Sequence, residues 1–184
     1  MPVRNTTSRW GSVAQLFHWV IVALIITQFV LANMAANLPL GMAKLAVLAR
    51  HKSVGITILG LAILRLVWRW MNPTPALPDT LKPYERTLAK VTHAVLYALL
   101  FAMPLTGWMM SSARNFPVSW FNLVQLPDFV PASRPLYDAM HATHEVLAWI
   151  LVAAAGLHVV AALKHHFVLK DDTLRRMLPF TRSR

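Results

Sequence analysis

Four histidines stand near the ends of long apolar stretches. His18 lies close to the start of the first, His51 opens the second, and His144 and His158 both lie on the fourth. An imidazole in hydrocarbon is costly unless something engages it. A helix rises ~1.5 Å and turns ~100° per residue, so the interval from His144 to His158 puts both on one face, ~21 Å apart. If the first stretch runs outward and the second returns, His18 shares a depth with His158, and His51 with His144. Neutral imidazole is a good axial ligand for haem iron, and two from facing helices fill both axial positions. Such an iron has no open position for oxygen and suits electron transfer. Two b-type haems, one above the other, would let an electron cross the bilayer.

Each residue alone is a weak signal. His51, between Arg50 and Lys52, also reads as an ordinary interfacial histidine, and His144 beside Glu145 as a helix start. The joint pattern of four carries the reading. Zinc would need convergent ligands, whereas these split into two layers. His141 and His144, one turn apart, leave room only for a weak metal site on the outer side.

The elements that position these residues follow from hydropathy. The chain has 184 residues, of which 57% are hydrophobic and 14% charged, against about 25% charged in soluble domains. Four apolar stretches, roughly 13–33, 50–70, 88–110 and 141–164, each approach the ~20 residues that cross ~30 Å of hydrocarbon. The expected fold is therefore an all-α membrane protein, a single-domain bundle of four transmembrane helices over 1–184. Met42 to Ala49 is expected to lie along the outer surface. Link 111–135 is expected to cap the outer face, and 165–184 to form a cytoplasmic tail. The first stretch is long for a signal peptide and lacks a small-residue cleavage pattern, so it reads as a retained helix. Arg65, Trp68, Arg69 and Trp70 read as an interfacial belt, rings at headgroup level and guanidiniums snorkelling outward. Pro104 and Gly107 interrupt the third helix, bending it or admitting another group to its backbone. Gly55 and Gly156 read as clearances beside a cofactor face, and Gly60 as easing helix packing.

The net charge of +11 would point to nucleic acid in a soluble chain, but no zinc-finger or recognition-helix pattern supports that. The charges follow topology instead. Thirteen cations fall on the termini and the second link: Arg4, Arg9, Arg65, Arg69, Lys82, Arg86, Lys90, Lys164, Lys170, Arg175, Arg176, Arg182 and Arg184. Five fall on the other links: Lys44, Arg50, Lys52, Arg114 and Arg134. This bias puts both termini in the cytoplasm, beside anionic lipids. With no cysteine, disulfides, iron–sulfur clusters, thiolate-ligated haem and c-type haem attachment are excluded. His165, on nearly the face of His158 and ~10 Å lower, is placed to relay protons to a quinone headgroup. Lys170, Asp171 and Asp172 could form a polar network beside it. His165 and His166 read equally as a basic surface for lipid headgroups.

Several stretches, in order, resemble the bacterial cytochrome b561 family: Phe17-His18-Trp19, His51-Lys-Ser-Val-Gly55, Pro104-Leu-Thr-Gly107, His144-Glu145, Leu157-His158 and the tail from His165 to Pro179. The resemblance covers about Arg9 to Pro179 and is strongest to the small inner-membrane members that oxidise superoxide and reduce ubiquinone. It implies two haem b groups, ligated by His18 with His158 and by His51 with His144. It also implies ubiquinone as acceptor on the cytoplasmic side around His165, Lys170 and Asp171, and superoxide as donor on the outer side. Lys44, Arg50, Lys52 and Arg114, with Arg134, would steer that anion. The alternative is an electron-transfer subunit fed by a dehydrogenase or a small redox protein. A third class is a haem-free structural or lipid-binding bundle.

Overall fold

A computed structural model describes residues 2–78, 81–179 and 181. Arg182 and Arg184, counted above in the basic tail, lie outside the described residues. Four helices follow in chain order: α1 (Ser12–Asn37), α2 (Met42–Trp70), α3 (Pro83–Ala113) and α4 (Arg134–Phe167). All four are long and apolar enough to cross a membrane. Leu16, Trp149, Leu157 and Val160 are exposed, as expected where the solvent is itself apolar and helices associate by packing rather than by the hydrophobic effect.

α2, α3 and α4 all start earlier than hydropathy places them. α2 begins at Met42, because Met42 to Ala49 is made of strong helix formers apart from Val47 and has no Gly or Pro. His51 therefore sits well inside α2 instead of opening it. α4 begins at Arg134. Ser133 is its N-cap, accepting a hydrogen bond from the Leu136 N–H at 3.4 Å, and Pro135 occupies the first turn, where a missing N–H costs nothing. α3 opens on Pro83, with the Glu85 carboxylate accepting the Lys82 N–H at 3.1 Å, half of a capping box. It continues through Pro104 to Ala113.

Helix segments group into two compact units. The terminal unit comprises residues 1–20, 63–98 and 150–184, and the loop unit 21–62 and 99–149. In the terminal unit both chain ends are tied down. Trp19 Nε1 donates to the Met177 carbonyl at 2.9 Å, Gln15 Nε2 to the Arg176 carbonyl at 3.0 Å, and Arg9 to the Thr181 carbonyl. Asn5 bridges the Pro73 carbonyl and the Gly11 N–H, both at 3.0 Å. A Cβ at Gly11 would strike backbone atoms of Val3 and Arg4, so only glycine fits there.

In the loop unit the link between α3 and α4 contains a hairpin, β1 (Ser119–Trp120) and β2 (Val124–Gln125), antiparallel with Trp120 opposite Val124. Phe121 and Asn122 both have positive φ, and the Leu123 N–H closes on the Trp120 carbonyl at 2.9 Å. This is the primed turn whose twist matches its strands. The hairpin is fastened to α2. Ser53 Oγ lies 2.9 Å from the Ala49 carbonyl and 3.0 Å from the Ser119 carbonyl, and accepts the Phe121 N–H at 3.0 Å. Trp120 Nε1 donates to Thr57 Oγ1 at 3.1 Å. Ser53→Ala strips this anchor while leaving the helix intact. A buried donor or acceptor left unmade costs about 1–3 kcal/mol, so limited proteolysis between Ser119 and Gln125 should accelerate in the variant.

Candidate functional site

The loop unit brings His51 of α2 and His144 of α4 together, ring centres 6.4 Å apart and planes crossed at 70°. The terminal unit brings His18 of α1 to His158 of α4, 6.2 Å apart and crossed at 71°. These are the pairings that helix rise and the alternating direction of successive spans put at equal depth. An imidazole nitrogen binds a first-row metal at about 2.0–2.1 Å, with the ring centre ~1 Å behind it, so two rings trans on one iron have centres about 6 Å apart. Both pairs fit that separation. Among the described residues no three of His, Cys, Asp or Glu converge as a metal site, so neither zinc nor the His141–His144 site gains support. His141 lies instead beside Tyr137, ring centres 5.8 Å apart.

Thr106 sets the tautomer of His144. Its hydroxyl oxygen is 2.8 Å from the Ala102 carbonyl and 3.0 Å from that of Met103, which hold its proton, and 3.0 Å from His144 Nδ1. His144 Nδ1 is therefore the donor to Thr106, and Nε2 is left bare as a ligand nitrogen. Gly107 gives the ring its room: a Cβ there would lie 3.3 Å from His144 Cε1 and 3.7 Å from Nδ1. Of the two sequence readings of Pro104 and Gly107, close approach of another group to the backbone is the one seen. The Nδ1 of His51 is buried and makes no hydrogen bond. Gly55 faces the Gln28 side chain, with a Cβ meeting Nε2 at 3.0 Å, while Gly60 and Gly156 look into open space. The expectation that Gly60 eases helix packing is not met.

In the terminal unit the sequence reading of Arg65 is corrected. It does not snorkel outward: Nη2 lies 3.3 Å from His18 Nδ1, and its guanidinium stands 5.4 Å from the Tyr97 ring centre. Arg69 approaches the same ring at 5.5 Å. His93, left without a role by the sequence, lies with its ring centre 5.2 Å from that of His158. Hydropathy could not have found these contacts, because an arginine near a helix end reads alike whether it faces lipid or core.

Below α4, His165 Nδ1 hydrogen-bonds the Asp171 carboxylate at 2.5 Å, and the Thr173 N–H donates to the other oxygen at 2.8 Å. His165 does not line the cavity beside it. His166 does, with Phe167, Lys170, Asp171 and Arg175, around a space of about 330 Å³, and its Nδ1 is buried without a hydrogen bond. Adjacent helical residues point ~100° apart; which one meets a cavity is decided by the tail folding back.

The proposed steering cations have separate surroundings. Lys44 Nζ donates to the Leu38 carbonyl at 3.3 Å. Lys52 donates to the Phe116 carbonyl at 3.0 Å and sits 3.6 Å from that residue's ring centre. Arg114 stacks 4.6 Å from the Tyr137 ring centre. With Arg134 and Asn115 it lines a cavity of about 350 Å³, while Arg134 pairs with Asp138 at 2.9 Å. Arg50 is exposed.

Two crossed imidazole pairs carried on membrane-length helices suit one class of protein, the membrane cytochromes. The sequence pattern of the prokaryotic cytochrome b561 family matches residues 9–180, and the chain belongs to that family. It is 34% identical over 180 residues to cytochrome b561 homolog 2 of Escherichia coli, covering 97% of this chain and 95% of that one. It is also 34% identical over 166 residues to a protein of Yersinia pestis described as a probable superoxide oxidase, CybB, covering 90% and 93%. To cytochrome b561 homolog 1 of E. coli it is 26% identical over 177 residues, covering 94% and 98%. The chain is thus a multi-pass bacterial membrane protein of a haem b electron-transfer family.

Two outcomes follow from this geometry. Gly107→Ala pushes a methyl against His144 alone, so the absorption of a haem held by His51 and His144 should broaden or disappear, while that of a haem held by His18 and His158 should keep its wild-type position. Asp171 gives a pH dependence. Burial pushes its carboxyl up, but hydrogen bonds from Thr173 and His165 outweigh this and hold it below the usual carboxylate range. A carboxylate depressed on folding contributes stability above its unfolded pKa and loses it as pH falls through the folded one. Tail protection from protease should therefore fall at acid pH, below the ordinary carboxylate range, and Asp171→Asn should be less protected at neutral pH with a flatter acid response.

Proposed function

We propose that this protein is a superoxide:ubiquinone oxidoreductase of the bacterial inner membrane, with both termini in the cytoplasm. His51 with His144, and His18 with His158, would hold two haem b groups. The observation that carries the reading is the pair of imidazole separations near 6 Å, one in each unit. Bound between such pairs, haem b supplies reversible one-electron storage with no open coordination site. The overall reaction balances as two superoxide anions losing one electron each to give two molecules of oxygen, while one quinone gains two electrons and two protons to give the quinol.

The residues of this chain would divide that work. On the loop side Arg114 and Arg134 flank a cavity with Tyr137, and Lys44, Arg50 and Lys52 add positive charge. Such a field raises encounter rates with a small anion and is screened by salt. On the terminal side the cavity beside His166, Lys170, Asp171 and Arg175 would take the quinone headgroup. His165, held by Asp171, would orient that carboxylate, and the His166 imidazole would hand over protons. The likeness to the Yersinia protein supports the superoxide reading.

The test is anaerobic pulse generation of superoxide over purified protein, following haem absorbance with and without ubiquinone. Haem reduction at near encounter-limited rate, slowing as salt rises, followed by quinol formation, is the expected result. No reduction until a dehydrogenase or small redox protein is added would move the function to a partner-fed electron carrier. A colourless preparation from haem-replete cells would leave only a lipid-binding bundle.

A further inference from the structure

We propose that Arg65 is a cofactor-binding residue whose guanidinium holds a carboxylate side chain of the haem between His18 and His158; the proposal rests on the haem reading above. Arg65 lies in α2, within a membrane-length helix, and is partly buried. A cation so placed needs an anion. Among the described residues none meets it. In the terminal unit Glu85 is engaged by Lys164 at 2.9 Å, Asp171 by His165 and Thr173, and Asp172 lies 3.9 Å from Arg175. Arg65 instead hydrogen-bonds the Tyr97 side chain, and Arg65 and Arg69 stand 5.4 and 5.5 Å from its ring centre; a neutral phenol and cation–π attraction only partly offset the repulsion of two like charges.

The chemistry of His18 sharpens the point. An imidazole that binds iron through Nε2 keeps its proton on Nδ1. Arg65 Nη2, 3.3 Å from that nitrogen, carries only donors. Two donors cannot satisfy each other, and the Tyr97 hydroxyl takes only part of a five-donor fork, so the guanidinium has donors left for an acceptor within reach of the same ring. Haem b carries two propionates at its edge, and a carboxylate matches the guanidinium fork in shape and charge. Tyr97 backs the guanidinium and limits where the fork can point. A cation fixed against a propionate offsets negative charge beside the iron and favours its reduced form.

The experiment is a redox titration of purified holoprotein, read by visible absorbance and by redox-difference infrared spectra with carbon-13 in the haem carboxyls. In Arg65→Gln one of the two midpoint potentials should fall by at least about 59 mV, a tenfold change in a one-electron equilibrium, and the carboxylate bands should move. Arg65→Lys keeps the charge and loses the fork: the bands should move while the potential stays nearer wild type. Two haems at wild-type potentials with unmoved bands in Arg65→Gln overturn the proposal. So does an equal fall in Arg69→Gln, which removes the same charge one turn away without touching His18. If Arg65→Gln does not assemble, the infrared bands of Arg65→Lys decide alone. Wild-type protein without haem would be a different failure, ending the haem reading itself.

Discussion

A neutral imidazole inside an apolar span is costly unless it is engaged, and the paired histidines answer that in different degrees. Each lies about 6 Å from a partner ring, and its other nitrogen calls for a hydrogen-bond partner, which His51 Nδ1 lacks. For His144 the second demand is met by Thr106, whose hydroxyl is itself fixed by the carbonyls one turn back. The cost is a glycine at 107, since any larger residue would close on the ring. A helix that can bring its backbone so near another side chain has little freedom left in rotation or depth.

The two imidazole pairs live in different electrostatic surroundings. Around His51 and His144 the neighbours are a hydroxyl, an amide and backbone. Around His18 and His158 they are a guanidinium, a third imidazole and a phenol ring. Positive charge beside a redox centre stabilises its reduced form, and low dielectric magnifies the effect. An electron carrier built on this plan has a built-in difference between its two stations without any difference in ligand type. In the proposed direction of flow, the cation-rich station is the one nearer the quinone.

The connecting segments are held by polar side chains. The link between α3 and α4 is held to α2 by one serine, one threonine and one lysine. The tail is returned to α1 through backbone carbonyls taken by Gln15 and Trp19. That return folds Lys170, in a left-handed conformation, and Asp171 against His165 and the His166 cavity. Polar side chains thus finish what apolar packing between helices leaves open at each end.

The sequence by itself determined the four spans, the class and which of the four histidines pair, because hydropathy and helical period are local properties that survive without any knowledge of neighbours. It missed the early starts of α2 and α4: Met42 to Ala49 and the residues before His141 are helical by propensity and capping, not by the length of the apolar run. The tight turn at Phe121 and Asn122 left only a faint trace, since phenylalanine is an unusual residue at positive φ. Only the tertiary structure decided that Arg65 turns in toward His18, that Thr106 orients His144, and that His166 and not His165 meets the cavity. Each of those depends on the direction of a side chain toward a residue far away in the chain. A one-dimensional pattern gives the face and depth of a residue, and it takes the packed neighbour to say what that residue touches.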